Sequence, residues 1–179
     1  RTGACGPLSG SSARSVAWST TGWSWSSSGV TTGRAQPATP DDDLLLPVVD
    51  LATLRALEPD MGRLAAVRTT QRARGVLCVS RETVEPGSLS HSRFFAPHFG
   101  LPEDIVTGSA HSTLVVWLFG AGLATAEGGR AVFTAEQGDG LGRPGRLRLE
   151  LTVHDGRPSR VRVGGRAVTV LSASLHPGA

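Results

Sequence analysis

Asp104, Thr107, Gly108, Ser109, Ala110 and His111 lie together in the stretch P-E-D-I-V-T-G-S-A-H (102–111), directly ahead of the apolar run L-V-V-W-L-F-G-A-G-L. If that run is a buried helix opening near Ser109, the first backbone N–H groups have no intrahelical acceptor and the positive end of the helix dipole lies there. An anion fits such a spot. Gly108 lets a ligand approach the backbone closely, the Ser109 hydroxyl can donate a hydrogen bond, and Asp104 stands one turn away. The stretch Thr107, Gly108, Ser109, Ala110 and His111 is therefore read as a binding site for a small carboxylate, sharing a proton network with Asp104. The bland alternatives are an N-cap role for Thr107 or Ser109, worth roughly 1 kcal/mol, a dipole role for Asp104, and a satisfied core position for His111.

Something rigid must hold this turn. D-L-L-L-P-V-V-D (43–50) reads as a strand, and L-A-T-L-R-A-L-E-P-D-M-G-R-L-A-A-V (51–67) places Leu51, Leu54, Leu57, Met61 and Leu64 at helical spacing, with Pro59 marking a break. G-V-L-C-V-S (75–80) and S-R-F-F-A-P (92–97) read as buried strands, and 109–123 as a helix apolar around most of its circumference, which must be surrounded by protein. R-A-V-F-T-A-E, then R-L-R-L-E-L-T-V with alternating Leu147, Leu149, Leu151 and Val153, then S-R-V-R-V-G-G-R-A-V-T-V-L describe further strands. Gly164-Gly165 carries a two-residue hairpin signal. The expected fold class is α+β, a strongly curved, largely antiparallel sheet wrapped around one central buried helix.

Composition narrows the partners. The net charge of +3 suggests an anionic partner, but residues 1–40 hold Arg1, Arg14 and Arg34 and no acid, leaving 15 arginines against 15 Asp and Glu in residues 41–179. The globular part is near neutral, so no nucleic-acid partner is expected. No apolar run approaches the roughly 20 residues that span a bilayer, and no signal peptide is apparent. Cys5 and Cys78 sit in unrelated settings, which argues against a disulfide framework and for a reducing cytoplasm. Residues 1–40, with 21 Ser, Thr or Gly and the cluster W-S-T-T-G-W-S-W, form a poorly packed leader, and the domain begins at Asp41 and runs to 177.

Other candidates carry less chemistry. Glu58, Glu82, Glu85, Glu103, His91, His98 and His154 are read as solvated surface groups. His91 and His98 have no Cys or carboxylate partners at ligand spacing, so no metal is expected. G-D-G-L-G-R-P-G (138–145) lacks the Gly-Lys-Ser/Thr ending of a phosphate loop and is read as a flexible connector. No cofactor is called for.

The succession S-R-F-F-A-P, G-L-P-E-D, V-T-G-S-A-H and G-G-R-A-V-T-V-L, in this order and at these distances, resembles the C-terminal half of the PhzF-like phenazine biosynthesis family, whose fold resembles diaminopimelate epimerase. The likeness covers about residues 41–175. It implies two similar lobes, each a curved sheet around a central helix, with the active site between them, and it implies homodimers. By this resemblance Asp104 and Ser109 match positions used for substrate binding or proton handling. One departure is Ile105, where family members usually carry proline, which leaves the turn less rigid. The family's acid/base glutamate and a histidine belong to the first lobe, and residues 1–40 contain neither residue type. The chain, which opens on Arg1, is therefore expected to be a partial isomerase lacking the lobe with the general base. The other reading is a degenerate, non-catalytic relative that keeps a carboxylate pocket.

Overall fold

The computed structural model describes residues 42–66 and 73–174. The expected leader, residues 1–40, lies outside the described residues. Seven strands form one sheet in the order β1 (Asp42–Pro47), β2 (Ala73–Ser80), β3 (Ser90–Ala96), β5 (Arg130–Gln137), β6 (Gly145–His154) and β7 (Arg157–Gly165), with β4 (Leu101–Asp104) pairing off β3. Only the β1–β2 and β3–β5 pairings are parallel, so the sheet is largely antiparallel, as its sequence pattern implies.

The two faces of this sheet bury different things. Toward the inside, Leu45, Leu77, Val79, Phe94 and Ala96 pack with Ala110, Leu114 and Leu118 of the long helix α3 (Gly108–Gly120). Leu147, Leu149 and Leu151 of β6 close around Val115 of the same helix. Toward the outside, Leu44, Val76, Cys78 and Phe95 meet Leu54 and the half-buried Leu51, Leu57, Met61 and Leu64. Neighbouring residues Phe94 and Phe95 thus serve opposite layers, as the two-residue period of a strand requires.

The outer layer is two short helices rather than one. α1 (Leu51–Arg55) is capped by Asp50, which accepts from Thr53 N–H at 2.6 Å, and α2 (Met61–Ala65) by Asp60, which accepts from Arg63 N–H at 3.0 Å. Pro59 separates them, since its ring and missing N–H interrupt the continuous helix that the leucine spacing alone suggests.

α3 is the expected central buried helix: Ala110, His111, Leu114, Val115 and Leu118 are fully buried, and Ser112, Thr113, Val116 and Trp117 on its remaining side are half-buried. Two other expectations are corrected. The hairpin between β6 and β7 turns at Asp155-Gly156, both with positive φ (49° and 72°), which is the backbone that a two-residue turn matching strand twist requires. Gly164 and Gly165 instead continue β7 opposite Arg148 and Leu147. The chain beyond them, R-A-V-T-V-L, forms no strand, and Val168, Val170 and Leu171 are 85%, 92% and 79% exposed.

Candidate functional site

β4 ends at Asp104, the chain turns through Ile105 and Val106, and α3 starts at Gly108 with Thr107 as its N-cap residue. Thr107 does not cap with its side chain. Its hydroxyl donates instead to Asp104 Oδ2 at 2.6 Å, so the first-turn N–H groups of Gly108, Ser109 and Ala110 have no acceptor among the described residues. A cap that turns away from its own helix leaves the anion-binding end of that helix open. Ser109 is exposed at the rim, and its Oγ accepts a hydrogen bond of 2.6 Å from Arg74 Nη2. Arg74 also pairs with the buried Asp43, Nε reaching Oδ1 at 3.1 Å. The turn therefore brings together a carboxylate, a hydroxyl, unpaired N–H groups and a guanidinium.

The remaining two residues of the expected stretch sit deeper. Ala110 and His111 are fully enclosed. His111 Nδ1 lies 2.9 Å from the Thr107 carbonyl oxygen, and Nε2 lies 3.1 Å from Ser92 Oγ. A carbonyl only accepts, so Nδ1 carries the hydrogen and a neutral ring presents Nε2 to the Ser92 hydroxyl. Burial pushes the His111 pKa below its ordinary value, outweighing the opposing effect of the Thr107 carbonyl.

Beneath the turn lies a polar layer that arises from strand register. Parallel pairing sets His91 opposite Glu136 and Ser92 opposite Gln137. Gln137 is fully buried and spends its amide on the turn: Oε1 accepts from Thr107 N–H at 3.1 Å, and Nε2 donates to the Asp104 carbonyl at 2.7 Å and to Thr107 Oγ1 at 3.1 Å. Glu136 is equally buried, accepting from Val84 N–H at 2.8 Å and Glu85 N–H at 2.7 Å and pairing with His91 Nδ1 at 2.7 Å. Burial opposes its ionisation, but the two N–H groups, His91 and Ser88 together hold the carboxyl below the usual glutamate value. Ser92 Oγ also lies 2.9 Å from the Glu136 carbonyl oxygen, and its one hydrogen goes either there or to His111 Nε2.

His91 thus corrects the reading of it as a solvated surface group: it is 2% exposed, because its register partner is a buried carboxylate. The segment 138–145 is likewise an ordered support rather than a loose connector. Arg146 beside it binds Asp139 through Nη1 and Nη2 at 2.9 and 3.0 Å and Glu85 through Nε at 2.8 Å. A Cβ on Gly138 (φ 91°) would come within 2.7 Å of the Ile105 carbonyl oxygen, and one on Gly145 within 2.2 Å of Val106 Cγ2. Only glycines let this segment press against the turn.

Among the described residues no group of three His, Cys, Asp or Glu is placed to hold a metal ion, and no helix is long and apolar enough to cross a membrane.

The family model for phenazine biosynthesis-like proteins, PhzC-PhzF, matches residues 14–173. The chain belongs to this family. The match starts upstream of the expected boundary at Asp41, in residues outside those described. Among the family's relatives of this chain, an uncharacterized isomerase of Deinococcus radiodurans is 38% identical over 135 residues, 75% of this chain and 42% of that protein. An uncharacterized isomerase of Clostridium acetobutylicum is 30% identical over 132 residues, 74% of this chain and 44% of the relative. A Bacillus anthracis phenazine biosynthesis protein of the PhzF family shares the fold at a TM-score of 0.56 and 19% identity, over 78% of this chain and 48% of its own. The chain thus spans less than half the length of these proteins.

Gln137, Glu136, Ser92 and Arg74 were not legible as site residues. The available signal is slight: two adjacent polar residues, Glu136 and Gln137, close a largely apolar strand just ahead of a glycine.

Proposed function

We propose that this chain supplies the substrate-binding lobe of an isomerase that shifts a proton or inverts a centre on a small carboxylate metabolite. The observation that carries this reading is the uncapped start of α3, where the Thr107 hydroxyl serves Asp104 and leaves the N–H groups of Gly108, Ser109 and Ala110 open. In this reading those N–H groups and the Ser109 hydroxyl hold the substrate carboxylate, with Arg74, itself paired with Asp43, fixing the Ser109 oxygen. When the C–H bond beside the carboxylate breaks, its electron pair spreads onto the carboxylate oxygens, where fixed donors stabilise the added charge most. Asp104 holds or returns the proton, Ala110 and His111 shape the floor of the turn, and the base that removes the proton lies outside the described residues. His91 and Glu136 are not that base, because both are buried and are paired with each other.

The names of the isomerase relatives support the reaction class. The free, buried thiol of Cys78 suits a cytoplasmic setting. The exposed apolar residues after β7 suit a homodimer.

The test is calorimetric titration with sodium crotonate and L-alanine, beside deuterium wash-in at the substrate carbon by the whole protein. Binding that weakens in Ser109→Ala is expected. Equal affinity in parent and variant would reduce the turn to a helix start without a ligand.

A further inference from the structure

Ile105 gives the Asp104 turn no rigidity of its own, yet the turn is held from below by one side chain. Gln137 is fully enclosed, and all three of its side-chain hydrogen bonds go to residues 104–107. Its direction matters. Nε2 has hydrogens to give and nothing to accept, so Thr107 Oγ1 receives a hydrogen from it at 3.1 Å. The hydroxyl's own hydrogen is then free to go to Asp104 Oδ2, 2.6 Å away. Meanwhile Oε1 fixes the Thr107 backbone and Nε2 fixes the Asp104 carbonyl, so both ends of the turn are set by the same amide. Gly138, the next residue, allows this approach, because a Cβ there would strike the Ile105 and Arg143 carbonyls.

We propose that Gln137 is the positioning residue of the site: its amide sets the direction of the Thr107 hydroxyl and so aims the Asp104 carboxylate at the substrate. The inference rests on the reading of residues 104–111 as a substrate site. It also assigns the polar end of β5 a purpose beyond holding strands together. An acceptor at Oε1 satisfies the buried Thr107 N–H, whereas only a donor at Nε2 orients the carboxylate.

Three variants of the full chain separate these roles. Gln137→Leu keeps the bulk and loses every bond, Gln137→Glu keeps an acceptor for Thr107 N–H and loses the donor while ionised, and Thr107→Val removes only the hydroxyl step. Crotonate affinity is read by calorimetry as a ratio to the parent from about pH 8 to about pH 5, a span in which a buried carboxyl takes up a proton. Gln137→Leu should bind roughly tenfold more weakly throughout, because the turn that presents the N–H groups of Gly108, Ser109 and Ala110 loses its three supporting bonds. Gln137→Glu should be as weak at the alkaline end and recover toward the parent as its carboxyl is protonated and donates again. Thr107→Val should bind weakly while the Thr107 amide stays protected from hydrogen exchange. Parent-like binding in Gln137→Leu, or a Gln137→Glu ratio flat with pH, would overturn the proposal. If Gln137→Leu does not fold, the pH course of Gln137→Glu decides alone. If the parent does not bind crotonate, the substrate reading fails. The aim of Asp104 is then read from its carboxyl carbon resonance, which should move in Gln137→Glu and Thr107→Val alike, and an unmoved resonance would overturn the positioning role.

Discussion

The end of β5 and the chain beyond β7 reverse the usual placement of residue types. Glu136 and Gln137 are completely buried, whereas Val168, Val170 and Leu171 stand almost fully in solvent. Burial in the first region is set by partners rather than by hydropathy: the polar side-chain atoms meet groups of β3, of the loop between β2 and β3, or of the turn before α3. The second region has apolar residues at strand spacing and, among the described residues, no strand beside it. One region has its polar groups partnered, and the other leaves apolar side chains in solvent.

The comparison breaks most forcefully at Glu136. Glu136→Ala leaves the buried His91 without its partner and takes the acceptor from Val84 N–H and Glu85 N–H, and removing one member of a buried pair costs about 3–5 kcal/mol. Urea denaturation should show this loss; a cost under about 1 kcal/mol would mean that water replaces the carboxylate and the layer is not closed. Because the folded-state carboxyl is held below its ordinary value, its contribution is present above the usual glutamate range and is lost as pH falls through the folded value. Ser109→Ala comes next, weakening carboxylate binding by roughly 1–2 kcal/mol while leaving the urea midpoint within about 0.5 kcal/mol of the parent, since Ser109 is on the surface.

Smaller again is the pH response of His111. Its folded-state pKa lies below the ordinary 6.5, so the unfolded chain takes up the proton first. Stability is complete above that value and declines as pH falls through it toward the lower folded value. His111→Gln should flatten this part of the stability curve, and an unchanged slope would place the titration elsewhere. The least effect on folding is expected from Val170→Ser, within about 0.5 kcal/mol. Light scattering should nevertheless show less self-association in that variant, and a parent that stays monomeric at high concentration would remove the homodimer from the proposed function.

What the sequence reveals follows the same division. Leu147, Leu149 and Leu151 alternate in β6 and are all buried, because a period-two pattern is a local property that the sheet simply reads out. The start of α3 and the placement of Asp104, Thr107 and Ser109 at one turn are equally local. The layer beneath them is not: His91 and Glu136 are 45 residues apart and become partners only through the β3–β5 register. Their residue types are those of a surface, so nothing nearby in the sequence marks them as buried. The hairpin shows a subtler failure. Asp155-Gly156 and Gly164-Gly165 both carry turn chemistry, but the second pair lies opposite Arg148 and Leu147 within β7 and, among the described residues, has no strand after it to pair back.

Cys78 gives this fold a clock. Its thiol faces the outer layer under α1 and α2, and burial raises its pKa to about 12, so at neutral pH almost none of it is the reactive thiolate. A thiol reagent can reach it only when α1 and α2 lift from β2 or the sheet itself opens. In a Cys5→Ser background the labelling rate therefore reports how often the outer layer stands open, and it does so without a substitution in the Asp104 turn.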